Sequence, residues 1–134
     1  MSDTQNAMES VAVTAEAVLY GPPDWTVIGT ATNSAVTATA VAVANKQNWC
    51  YKAIVSFSGA SGTSANVFTI KDGTSGTTLF QANIPAAVTA PISFDFSRVP
   101  IRGSTNTALV AGLNDPGASV TATITIIGRT QKRV

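Results

Sequence analysis

Apolar and polar residues alternate with period two through much of this chain, most plainly between Asn66 and Phe96. Val67, Thr69 and Lys71 interleave with Phe68, Ile70 and Asp72, the pattern of a strand with one greasy and one wet face. Asp72-Gly73 opens a short turn to Gly76, where glycine tolerates the positive φ of a hairpin loop. Leu79 and Phe80 resume the apolar pattern, and Ile92, Phe94 and Phe96 repeat it.

The same reading predicts eight strands: Trp25 to Thr32, Ala35 to Ala44, Trp49 to Ser58, Asn66 to Lys71, Thr77 to Ile84, Ile92 to Phe96, Thr107 to Leu113 and Ala118 to Gly128. Gly, Pro, Asn and Ser separate most of them, with Asn114-Asp115-Pro116-Gly117 a strong turn before the last. No long helical period occurs, and β-branched residues crowd the strands. The expected fold is all-β: an antiparallel eight-stranded jelly-roll-like β-sandwich, with immunoglobulin-like topology as the structural rival. In the last strand Val120, Ala122, Ile124 and Ile126 face one way. Thr121, Thr123, Thr125 and Ile127 face the other, a threonine ladder suited to a solvated face or a wet subunit contact.

Ahead of these strands, residues 1–24 read as an extended N-terminal arm and residues 25–134 as the sandwich domain. Within VAVTAEAVLY (11–20) the alternation permits a strand and the Ala/Glu/Leu spacing permits a short helix. Gly21-Pro22-Pro23-Asp24 breaks regular structure and forms the expected hinge between arm and body.

Composition sharpens the picture. Only 11% of the 134 residues are charged, against about 25% in an ordinary soluble domain. Thr, Ser, Ala and Asn make up the difference, which suggests surfaces covered by other protein. A net charge of +1 provides no field for nucleic acid or an anionic membrane. The charges are nevertheless segregated. Residues 1–24 hold four acids and no base, and the remainder holds three acids and all eight bases. An acidic arm and a basic body on identical chains attract one another between subunits; the alternative is a solvated tail.

Candidate chemistry is sparse. The chain has no histidine, which removes serine and cysteine triads and the usual zinc sets. Cys50 is the single cysteine, expected buried and inert. Asp72 and Asp95 are the one conceivable hydrolase pair, each with a simpler role in a turn or on a strand. The loops Gly59 to Gly62 and Gly73 to Gly76 lack the context of a phosphate cradle, and no calcium-type acid cluster occurs. No enzyme activity, metal or cofactor is therefore expected. Tyr20, Trp25, Trp49 and Tyr51 offer a stacking platform for sugars or single strands, yet Trp49, Tyr51 and Phe57 share a strand parity with Ala53 and Val55, as a core face does. Trp25 also fits a seam residue that pins the arm to the body. Met1 to Ser10 is acidic and polar, unlike a signal peptide, and the chargeless run Trp25 to Asn45 is too rich in Thr, Asn and Ser for a membrane helix. The expectation is a soluble protein made in a cytoplasm.

From Val67 to Gly128 a strand ending K-D-G precedes T-T-L-F-x-x-x-I-P and I-S-F-x-F, then P-I-R-G-S-T-N-T-A-L-V and a last strand ending I-I-G-R. This pattern resembles the jelly-roll domains of tailed-phage virion proteins, notably head decoration (cement) proteins; related domains occur in fibres and tails. The resemblance implies a homotrimer on the outer capsid surface that bridges and stabilises neighbouring major capsid subunits, with no nucleic acid, membrane or small-molecule substrate as partner. The alternative it allows is a fibre or tail module that binds a host receptor or glycan. The residues expected at partner and subunit contacts are Val11, Val13, Val18, Leu19 and Tyr20 of the arm, with Trp25, Arg98, Arg102, Arg129 and Arg133.

Overall fold

A computed structural model describes residues 21–58 and 65–132, and these form two antiparallel sheets packed face to face. Nine strands follow in order: β1 (Trp25–Thr32), β2 (Val36–Ala40), β3 (Lys46–Phe57), β4 (Asn66–Asp72), β5 (Thr78–Ile84), β6 (Ile92–Asp95), β7 (Ile101–Arg102), β8 (Leu109–Leu113) and β9 (Thr121–Lys132). One sheet runs β1-β9-β3-β6, with β7 also on β3; the other runs β2-β8-β4-β5.

That order has a simple origin. β4 pairs with β5, β3 with β6, β2 with β8 and β1 with β9, all antiparallel. The chain is thus one long hairpin, its tip at the turn that Asp72 N closes on Thr77 O at 2.9 Å. Wrapping the hairpin on itself adds the β3/β9 and β4/β8 pairings and divides the ribbon between two layers. This is jelly-roll topology, not the immunoglobulin order.

The core is written by the alternation. Val36, Ala38, Ala40, Phe68, Ile70, Leu109, Ala111 and Leu113 of one sheet meet Cys50, Ala53, Val55, Ala122, Ile124 and Ile126 of the other, all buried. Phenylalanines tie the layers at one end. Phe68 stacks on Phe94 with centroids 5.4 Å apart, and Phe80 meets Phe94 and Phe96 edge-on at 5.2 and 4.8 Å. Such geometries add about 0.5–1.5 kcal/mol per pair beyond area burial. At the opposite side the layers close where β1 crosses β2. A Cβ on Gly29 would lie 1.9 Å from Thr37 O, so only glycine admits this approach of two backbones.

The structure departs from the sequence reading in several places. The described residues hold nine strands rather than eight, because Ile101–Arg102 make a two-residue pairing with Trp49 and Cys50 that no alternation announces. β2 ends at Ala40 rather than Ala44, where Asn48 Nδ2 donates to the carbonyls of Ala40 (3.0 Å) and Val41 (2.8 Å). β9 runs on to Lys132, carrying most of the basic terminus into the sheet opposite Lys46 to Trp49. Lastly, β3 bulges between Cys50 and Lys52, so parity changes along the strand. Cys50, Ala53 and Val55 point into the core with Phe57 against it, whereas Trp49 and Tyr51 are buried outside that cluster.

Candidate interaction surface

The β1/β9, β3/β9 and β3/β6 registers arrange the outward side chains of the five-stranded sheet in rows. Thr32 lies opposite Thr121, and Thr30 opposite Thr123, which is followed by Ser56 on β3. The next row is Ile28, Thr125, Ile54 and Ser93, and the one after it Thr26, Ile127, Lys52 and Asp95. Hydroxyls bond across the strands, Thr30 to Thr123 at 3.1 Å and Thr32 to Thr121 at 2.7 Å. These bonds occupy hydrogen-bonding capacity that would otherwise bind water and fix the hydroxyl positions. Ile28 stands on β1, the edge strand of this sheet, 64% exposed.

Among these rows only Lys52 and Asp95 are charged, and they face each other. The Asp95 carboxyl accepts from Ser97 Oγ at 2.6 Å and Ser97 N at 2.9 Å. Those bonds, then Lys52 and Arg98 nearby, hold it below the usual carboxylate range. The result is a nearly neutral surface with hydroxyls at fixed positions and an exposed isoleucine on its β1 edge. Such a surface costs little to desolvate and suits a protein partner better than a charged ligand.

Beyond the rows the face changes character. Trp49 has Arg102 opposite it on β7 and Arg129 on β9, with the Arg102 guanidinium carbon 4.3 Å from the Trp49 ring centroid. Burial pushes the Tyr51 phenol up, although Gln131 Nε2 donates to its oxygen at 3.4 Å. The segment before β1 is fastened along the same strip. Arg129 Nη1 donates to Pro22 O at 3.0 Å, Asp24 N to Gly128 O at 2.8 Å, and Thr130 N to Asp24 Oδ1 at 3.1 Å. Residues 22–24 therefore belong to the body.

Of the expected contact residues, Val11, Val13, Val18, Leu19, Tyr20 and Arg133 lie outside the described residues. Arg102 and Arg129 come together about Trp49. Arg98 does not join them; it sits in the turn after β6, beside Asp95. Trp25 turns inward over Gly128, where a Cβ would meet its ring at 2.5 Å. Trp49 offers no open stacking face, being buried beneath Arg102, whereas Trp25 packs on the core with part of its side chain left accessible.

The candidate chemical groups have structural roles. Burial pushes the Cys50 thiol up to about 12, and its Sγ donates to Lys52 O at 3.4 Å. Asp72 holds the loop before β8 through Ser104 N at 2.8 Å and the Ser104 hydroxyl. Among the described residues no group of three or more His, Cys, Asp or Glu is placed to hold a metal. Sequence reasoning missed an apolar cavity of about 390 Å³ at the end of the sandwich, lined by Trp25, Val27, Val41, Val43, Asn48 and Thr130, among others. Its signal is present in the chain: past the end of β2, Val41 and Val43 are apolar at the parity where Thr37 and Thr39 are polar.

No family model matches the chain, and neither does any curated protein. Among solved structures it is similar to a chain from the X-ray structure of tomato aspermy virus, with 12% identity over 98% of this chain and 95% of that one. The TM-score is 0.34.

Proposed function

We propose that this chain is a virion structural protein, a decoration or cement protein that sits on the outside of a phage head and bridges neighbouring major capsid subunits. The observation that carries the reading is the near-neutral outer face of the five-stranded sheet, with its threonine rows beside Ile28. A solitary soluble domain keeps such a face charged; this one is built to be covered. Jelly rolls recur in viral capsids and in lectins, an analogy of fold rather than evidence of activity. The pattern from Val67 to Gly128 favours the capsid side of that analogy. A glycan-binding role gains no support from Trp49, whose ring lies beneath Arg102.

Physically, a small inert body can brace a shell through repetition. Each contact is weak, but a trimer seated on a lattice engages several subunits at once, and effective concentration multiplies the affinity. The exposed Arg98 and Arg102 supply contacts at the margin, where charge sets orientation more than affinity. The test is sedimentation of the purified protein with empty heads assembled from the accompanying major capsid protein, alongside protein identification in purified particles. Saturable binding at a fixed copy number and presence in the particle support the proposal. Absence from the particle, with no pelleting, overturns it.

A further inference from the structure

We infer that the apolar cavity at the end of the sandwich is the seat of the segment Val11–Tyr20 of the same chain. The cavity is open and greasy. Trp25 and Val27 come from β1, while Val41 (70% exposed) and Val43 (37% exposed) come from the loop after β2. Two large apolar side chains left in water beside a tryptophan are costly without a cover.

Four observations point to that cover. The first is position: the described chain begins at Gly21, only four residues before Trp25 of the cavity wall. Gly21 adopts φ +82°, a turning conformation, against the Arg129 side chain. A cover so closely tethered has a high effective concentration at the cavity. The second is composition: VAVTAEAVLY supplies the chain's nearest apolar run.

The third observation is charge. Lys46 and Lys132 are register partners, one step beyond Asn48 and Thr130 on the cavity side of the sheet. Like charges directly opposite repel, and an anion beside them relieves that. Residues 1–20 carry Asp3, Glu9 and Glu16 and no base, with Glu16 inside the apolar run. The fourth is hydrogen bonding. Trp25 Nε1 and Arg129 Nε are buried with no partner, two donors at the point where the segment joins the body. Backbone carbonyls or a carboxylate of the incoming segment provide what both lack.

The test uses the full chain with a cysteine pair, Val18→Cys with Val41→Cys, and as control Val18→Cys with Thr78→Cys on β5, the edge of the sandwich away from β2. Cys50 serves as the fold check: two thiols, not three, titrate in the reduced native protein. On mild oxidation the first pair forms an intrachain disulfide roughly tenfold faster than the control, as a tethered contact requires. Adding Glu16→Lys slows that closure, and adding Lys132→Glu to it restores the rate. A disulfide formed only between molecules assigns the seat to a second copy and overturns the inference. Closure no faster than the control also overturns it. No shell is present in this experiment, so its outcome is independent of capsid binding.

Discussion

Phe68 offers the most quantitative test of how the two layers are joined. Its side chain is fully buried on β4, stacked on Phe94 of β6 at 5.4 Å with rings 1° from parallel, and edge-on to Phe80 at 6.3 Å. Phe68→Ala removes the ring from a site walled by other phenylalanines, which cannot collapse to fill it. Such truncations cost about 3–5 kcal/mol, and the loss of two aromatic contacts places this one near the top of that range. Phe96→Ala removes a half-buried ring with one edge contact to Phe80 and costs roughly 1–2 kcal/mol. A domain of 134 residues has a total stability of roughly 7–20 kcal/mol, so both variants fold. In urea titrations with unchanged m near 2 kcal/mol/M, the Phe68→Ala midpoint falls by about 2 M and that of Phe96→Ala by less than 1 M. The Phe68→Ala/Phe94→Ala cycle shows coupling of about 0.5–1.5 kcal/mol. A Phe68→Ala cost below that of Phe96→Ala would refute this account of the core.

Three further perturbations probe separate parts of the structure. Gly29→Ala forces a methyl into Thr37 O at the β1/β2 closure and costs about 1–3 kcal/mol or more; an unchanged Tm would mean the edge is not closed as described. Asn48→Leu strands the carbonyls of Ala40 and Val41 and the Thr130 hydroxyl, lowering stability by roughly 2–4 kcal/mol in chemical denaturation, whereas a neutral effect would rule out the buried network. Cys50 retains its proton in the folded chain to about pH 12 but ionises from about pH 9 once unfolded. Folded stability therefore falls as pH rises through that window, by about 4 kcal/mol at its upper end, and Cys50→Ala removes this part of the slope. A thiol reagent that modifies Cys50 rapidly at pH 8 in the native protein would contradict its burial.

The fold was largely legible because period-two alternation is strong in this chain. The inward rows of β4, β6 and β9 follow directly from it, as do the outward threonines of β9. What the sequence withheld depends on partners distant along the chain. The two residues of β7 are a strand only because β3 lies beside them. The RTQK run of β9 has no apolar alternation and is extended by its pairing with Lys46 to Trp49. β2 stops where a side chain eight residues later takes its carbonyl. The bulge at Tyr51 inserts one residue and turns Trp49 out of the core face, although its parity with Ala53 and Val55 placed it inside. The candidate surface divides in the same way. One column of threonines could be read from β9, but its rows with Ile28, Ile54 and Ser56 exist only through the registers. Arg102 and Arg129 are far apart in the chain and meet at Trp49 because β7 and β9 flank β3.

The proposed function requires that the shell cover the neutral threonine face beside Ile28. Its most direct test is Ile28→Asp, an exposed change that leaves the core untouched, measured by co-sedimentation with empty heads and by Tm. The expected result is an unchanged Tm and a loss of shell binding of roughly a hundredfold, the order expected for burying an unpaired charge within an interface. Binding equal to that of the parent protein would contradict it.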